Sequence, residues 1–214
     1  IEGVFSHFAS ADDNDLRSAR LQLERFLEAL KFYDDHNLPT PTRHMANSAA
    51  IVALPEAHLD LVRPGLLLYG VEPIEQTSHI VTVEPVLSWR SEVIYFKVVE
   101  AGNSIGYGGT WTPENSTRIV TLPVGYADGY RRGLSNRAQV LINGTRHNVV
   151  GRVCMDQTMI DIGATSAYNG DQVVLVGSDG INNITIRDLA QWSDTIPYEI
   201  LTSITARVPR CWQP

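Results

Sequence analysis

Leu66-Leu67-Leu68-Tyr69-Gly70-Val71-Glu72-Pro73 closes one kind of chain, and a different kind follows it. Upstream, short apolar runs alternate with helical spacing. Ile1 to Phe8 is such a run, and Ser10 to Asp15 is a cap-rich loop in which Asp12 and Asp13 are candidate N-caps. From Leu16 to Asp35 the spacing predicts a helix with Leu16, Ala19, Leu23, Phe26, Leu27 and Leu30 on one face, ended by Pro39 and Pro41. Ser48-Ala49-Ala50 reads as a strand end followed by a helix start, and Leu59 to Arg63 and Leu66 to Tyr69 flank Pro64-Gly65. Repeated strand-loop-helix units of this kind predict a parallel α/β arrangement.

Downstream, β-branched and aromatic runs take over: Val86 to Val99, Arg118 to Pro123, Ala138 to Ile142, Val149 to Val153, Met159 to Ile162 and Gln172 to Val176. Asn143-Gly144 between apolar runs signals a hairpin. A single late helix is expected over Ile186 to Trp192, capped by Thr185. This half is predicted to be mainly antiparallel β, with the boundary around residues 72–80, giving domains 1–75 and 76–214 and a fold class of α/β plus β.

The chain has 214 residues, enough to bury a sizeable core in one large or two small domains. A net charge of −7 argues against non-specific nucleic-acid binding, which needs a basic face. No apolar run approaches the length of a membrane span. Cys154 and Cys211 are too few for a disulfide framework and lack metal-ligand spacing, which points to a reducing, cytoplasmic setting and to no metal. The chain opens at Ile1 directly on a strand-like segment, so a further segment upstream is expected.

Several stretches carry chemistry. Asn103-Ser104-Ile105-Gly106-Tyr107-Gly108-Gly109-Thr110-Trp111 frames one tyrosine with glycines, which can take positive φ and leave the phenol unshielded. That is either a turn residue or an acid/base held out on a loop. His7 sits where a parallel strand meets its loop, the end at which such folds place functional groups. Ser48 puts a hydroxyl at a helix start among small residues, which suits a phosphate or a plain N-cap. Arg63, before Pro64-Gly65-Leu66, places a permanent cation at another strand-to-loop junction, where a surface ion pair is the ordinary alternative. In the β half, Tyr126, Asp128, Arg131 and Arg132 cluster around glycines, and Arg152 and Asp156 flank Cys154-Met155. Asp156 could equally be a turn former.

Taken in order, EGVFSHFASAD, NSAA, VRPGLLLYG, SIGYGGTW, PVGYADGYRR, VGRVCMDQ, PYEI and RVPR make the chain resemble, nearly end to end, the C-terminal part of the alanine racemase family. The resemblance implies the C-terminal half of a (β/α)8 barrel that binds pyridoxal 5'-phosphate, followed by a mainly antiparallel, barrel-like β-domain. It implies interconversion of L- and D-alanine by two bases, supplying D-alanine for peptidoglycan, in a homodimer whose active sites are shared between subunits. Tyr107 matches the family's catalytic tyrosine, and His7 and Arg63 match the groups that support it. Arg63 would also donate to the pyridine nitrogen. Phosphate binding falls on Ser48, the backbone of Gly65 and Leu66, and the Tyr198 hydroxyl. The Met155 N–H matches a contact to the substrate carboxylate, Tyr126 lies near that site, and Arg132 and Arg152 match the access channel.

The chain departs from the family in two respects: neither the family's substrate-carboxylate arginine from the earlier barrel loops nor its cofactor lysine has a match here. Its only lysines, Lys31 and Lys97, match no cofactor-lysine motif, so that lysine is expected in an N-terminal barrel segment and this chain alone is expected to be inactive. Two alternatives stand beside this expectation: a racemase of serine or broad specificity, and a non-catalytic dimerisation module.

Overall fold

The computed structural model describes residues 1–74 and 80–212. The backbone divides into two compact units, Ile1–Val86 and Leu87–Pro214. The junction expected between residues 75 and 76 lies outside the described residues.

In the first unit, β1 (Gly3–Phe5) leads through α1 (Arg17–Asp35) to β2 (Thr42–His44), and α2 (Ser48–Ala53) follows. β1 and β2 pair in parallel, with Phe5 beside His44, and a parallel bridge joins His44 to Leu61. Three successive segments therefore run side by side in one direction. Their loops after the C-terminal ends carry His7, Met45 to Ser48, and Arg63. The apolar stripe of α1 is narrower than its spacing predicts. Ala19, Leu23 and Leu30 are buried, whereas Leu27, on the flank of that stripe, is exposed. The helix begins after Leu16, not at Asp12 or Asp13, and the Asp15 carboxylate accepts the Arg17 N–H at 3.0 Å. Phe8, Leu23, Met45 and Leu54 pack with Ala46, Ala49, Ala50 and Ala57, whose small side chains let α2 approach closely.

The second unit is built on β3 (Trp89–Glu92), β4 (Tyr95–Val99), β5 (Thr117–Leu122), β6 (Gln139–Ile142), β7 (Thr145–Val150), β8 (Thr158–Gly163), β9 (Gln172–Asp179) and β10 (Asn182–Ile184). All pair antiparallel in the order β10-β9-β6-β7-β8-β5-β4, with β3 also on β9. The run expected from Val86 to Val99 is two strands, not one. The Val93 N–H turns to Asp171 O and the Ile94 N–H to Thr121 O, so the chain crosses from β9 to β5. Because β3 and β4 are nearly continuous, that crossing brings the two ends of the sheet together and curls it into a barrel-like form. Asn143 and Gly144 take φ of 51° and 73° at the hairpin joining β6 to β7. α3 (Ile186–Trp192) opens with a capping box: Thr185 accepts the Asp188 N–H, and the Asp188 carboxylate accepts the Thr185 N–H. α4 (Pro197–Ser203) follows, with Pro197 in its first turn. The apolar run expected from Val149 ends early, because Gly151 at φ 72° turns the chain out of β7.

Candidate active site

In the first unit, one guanidinium gathers the parallel strand ends. Arg63 donates through Nη1 to His44 Nδ1 at 2.8 Å. Through Nη2 it donates to Ser6 O at 2.9 Å, His7 Nδ1 at 3.1 Å and Met45 O at 3.3 Å. A guanidinium has no lone pair to offer, so both imidazoles accept through Nδ1 and carry their proton on Nε2. Phe5 stacks on His44 with ring centroids 5.3 Å apart, and Arg63 lies 5.5 Å from the centre of the same Phe5 ring. Arg63 makes no ion pair among the described residues; Asp60 pairs with Arg43. The Arg63 Nε–H makes no bond among the described residues, leaving a donor for a heterocyclic nitrogen.

Ser48 is 1% exposed. It is not the cap of α2: Asn47 is, accepting the Ala50 N–H at 3.0 Å. Ser48 Oγ is therefore available to accept Gly65 N–H at 2.7 Å and Leu67 N–H at 3.4 Å, at the start of the tight turn Leu66–Tyr69. With its lone pairs engaged, the hydroxyl has its proton left to offer, as an anion requires. Ser48 thus meets the Gly65–Leu67 turn, with the Gly65 N–H held by its hydroxyl oxygen, at the strand end that also carries Arg63.

In the second unit, Tyr107 stands on a short turn, Tyr107–Gly109, and is 73% exposed. The flanking glycines are required by geometry. Gly106, Gly108 and Gly109 all have positive φ, and a Cβ on Gly106 would lie 3.3 Å from the Arg152 backbone nitrogen. The Arg152 guanidinium lies over Gly108, where a Cβ would sit 3.6 Å from its Cζ. A shallow cavity of about 550 Å³ beside Tyr107 is lined by Lys97, Ser104, Cys154 and Gln157. Burial pushes the Cys154 thiol up from its ordinary pKa, so it stays protonated on that wall. A larger open hollow of about 790 Å³, lined by Trp111, Glu114, Arg118 and Asp161, contains none of the expected residues.

Tyr126 and Met155 sit on two loops joined by backbone bonds, from Tyr126 N–H to Cys154 O and from Ala127 N–H to Met155 O, both 3.0 Å. Among the described residues no acceptor is found for the Met155 N–H. Arg132 and Arg152 lie on segments linked through Ser135, which donates to Arg132 O and accepts the Val153 N–H. Tyr198 is half exposed on the first turn of α4, and the neighbouring Glu199 pairs with Arg131 at 2.6 Å.

Three further residues hold these groups, and sequence reading had not singled them out for a role. His44 shares Arg63 with His7. Asn136 accepts the Gly151 N–H at 2.6 Å and donates to Thr110 Oγ1 at 3.2 Å, tying the Tyr107 loop to the Arg152 segment. Arg207 pairs with Asp128 at 3.2 Å and Asp156 at 2.7 Å. The sequence reading placed the strand end at Ser48-Ala49-Ala50, whereas β2 ends at His44.

Residues 1–73 match the alanine racemase N-terminal domain and residues 86–212 the alanine racemase C-terminal domain. The alanine racemase of Carboxydothermus hydrogenoformans is 48% identical over 213 residues, 99% of this chain and 58% of that protein. The alanine racemase of Symbiobacterium thermophilum is 47% identical over 98% of this chain and 56% of its own length. Among solved structures, alanine racemase from Streptomyces lavendulae superposes with a TM-score of 0.93 at 39% identity, covering all of this chain and 56% of that one. Alanine racemase from Bartonella henselae, which carries covalently bound pyridoxal phosphate, gives 0.87 at 32% identity over 99% of this chain and 56% of that one. The chain spans a little over half the length of the relatives it matches. It belongs to the alanine racemase family.

Proposed function

We propose that this chain serves as the C-terminal portion of a pyridoxal-phosphate-dependent alanine racemase that interconverts L- and D-alanine in the cytoplasm and supplies D-alanine for peptidoglycan. The observation that carries the reading is the Arg63 hub, one guanidinium shared by His7 Nδ1 and His44 Nδ1 at the ends of parallel strands. Pyridoxal phosphate, when bound, withdraws electrons from the Cα of an amino acid and so acidifies its proton. Ser48 and the Leu66 N–H would hold its phosphate, joined by the Gly65 N–H once it leaves Ser48 Oγ. Arg63 would donate to its ring nitrogen, and because a guanidinium keeps its protons, that nitrogen would stay unprotonated.

Racemisation needs one proton removed from Cα and one returned on the other face, most simply by two bases. Tyr107 is the proposed base of this chain, taking or returning the proton at its Oη. The second is the cofactor lysine, assigned to an N-terminal barrel segment of the working protein. The Met155 N–H would orient the substrate carboxylate beside Tyr126, and Arg132 and Arg152 would draw that carboxylate along the access channel. In a homodimer with shared sites, Tyr107, Tyr126 and Met155 would serve the partner subunit's cofactor.

The test is solvent-deuterium wash-in at Cα, starting from each enantiomer, with the native assembly. Tyr107→Phe is expected to lower turnover by about 10²–10⁴-fold and to suppress wash-in mainly from one enantiomer. Small and equal effects from both enantiomers would remove Tyr107 from the role of base.

A further inference from the structure

The described residues of the second unit hold one arrangement that the reaction as proposed does not use. Arg207 lies in the segment after α4, which is stitched to the 125–130 loop. Thr205 N–H donates to Asp128 O at 3.1 Å, and Thr205 Oγ1 donates to Ala127 O at 2.9 Å. Gly129 makes this approach possible, because a Cβ there would lie 2.3 Å from Ser203 O. From that anchored segment the Arg207 guanidinium reaches two carboxylates on two loops. Nε lies 3.2 Å from Asp128 Oδ1, and Nη2 donates to Asp156 Oδ1 at 2.7 Å.

The two carboxylates differ in setting. Asp128 is 7% exposed, and its other oxygen accepts the Gly125 N–H at 2.9 Å. It therefore fixes the loop that carries Tyr126. Asp156 is largely exposed and follows Met155 directly, so it is the movable end of the arrangement. The hydrogen bond to Asp156 and the charge of Asp128 both raise the Arg207 pKa, so it remains a cation throughout the working pH range.

We propose that Arg207 is a positioning residue for substrate carboxylate binding: it clamps Asp156 to the buried Asp128 and thereby holds the Met155 N–H in place beside Tyr126. Arg207 touches no substrate and acts through the two loops. The two backbone bonds hold the carbonyls of Cys154 and Met155 against the 125–130 loop, and the bond from Arg207 to Asp156 adds a tie one residue further on. That tie fixes direction as well as distance, because the planar guanidinium fork binds Asp156 from a base held on the buried Asp128. This inference rests on the racemase reading, in which the Met155 N–H meets the substrate carboxylate.

The experiment compares Arg207→Ala, Arg207→Lys and Asp156→Asn in the native holoenzyme, using alanine turnover and propionate as a carboxylate probe. A contact made equally in the ground and transition states changes KM and leaves kcat nearly alone. Arg207→Ala is expected to raise KM for alanine and Kd for propionate by about tenfold, the scale of one charge-assisted hydrogen bond, with kcat within about twofold. Arg207→Lys should recover part of the loss. Asp156→Asn, which cuts only the exposed arm, should weaken propionate binding without lowering the melting temperature. Hydrogen exchange at residues 154–157 should quicken in all three variants.

Unchanged KM and propionate affinity in Asp156→Asn and Arg207→Ala would overturn the clamp. So would a fall in kcat and melting temperature with KM unmoved, which would make Arg207 a fold-holding residue only. A wild-type assembly that neither racemises alanine nor binds propionate would overturn the racemase reading itself, and the clamp with it.

Discussion

Replacing Arg63 with lysine keeps the charge and removes the fork. Four acceptors surround two guanidinium nitrogens: His44 Nδ1 on Nη1, and Ser6 O, His7 Nδ1 and Met45 O on Nη2. A single ammonium at the end of a flexible stem cannot occupy both positions, so about two of the four bonds are lost. A hydrogen bond to a charged group is worth about 1.5–3 kcal/mol when buried, and Arg63 is only partly buried, so about 1 kcal/mol for each bond is the reasonable scale. The expected destabilisation is about 2 kcal/mol, with a further small loss from the Phe5 ring face. At roughly 2–4 °C for each kcal/mol in a protein of this size, the melting temperature should fall by about 4–8 °C.

Calorimetry of the native assembly measures that shift, and ¹⁵N NMR of the histidine side chains measures its local cause. In the wild type, His7 and His44 should both show a proton held on Nε2. In Arg63→Lys at least one ring should become a tautomer mixture. A melting temperature within about 1 °C of wild type, with both tautomers retained, would refute the claim that the fork organises the strand ends.

Two other predictions concern the second unit. Gly125→Ala would place a Cβ 2.3 Å from Cys154 O and 2.4 Å from Met155 O, both rigid backbone atoms. Forcing the two loops apart should cost on the order of 3 kcal/mol and expose residues 125–130 to proteolysis; a variant that melts and resists protease like wild type would contradict it. His147, buried on β7, has its pKa pushed down from the ordinary 6.5 by burial, with the Asp161 charge opposing in part. Above that value both folded and unfolded states are neutral. As pH falls through it, the unfolded chain takes up a proton that the folded site resists, so stability is lost on acidification. Urea midpoints at pH 5, 6 and 7.5 should therefore fall less steeply for His147→Gln, and parallel profiles would rule this group out.

Features specified over a few residues were legible in the sequence. The Thr185 cap with Asp188 three residues on, the Asn143-Gly144 hairpin and the glycines around Tyr107 each depend on local backbone geometry, and each is found where the sequence places it. The change from parallel α/β to antiparallel β was legible for the same reason, because a period of 3.6 and a period of 2 differ within a single element. Two expected outcomes slipped, the first through distant partners and the second through a local one, Asp15 against the Arg17 N–H. Val86 to Val99 is two strands because β9 and β5 each claim part of it. Asp12 and Asp13 do not cap α1, which starts only at Arg17.

The candidate residues were nameable in the sequence by itself: Tyr107, His7, Arg63 and Ser48 stand in motifs that resemble those of the alanine racemase family. Their partners were not. Asn47, not Ser48, caps α2, which leaves the serine hydroxyl for Gly65, 17 residues away. His44 joins Arg63 across 19 residues, and Arg207 reaches Asp156 across 51. Such pairings follow from which strand ends and loops the fold brings within 3 Å or so of each other. Local propensity carries no record of that distance, so only the tertiary structure decided it.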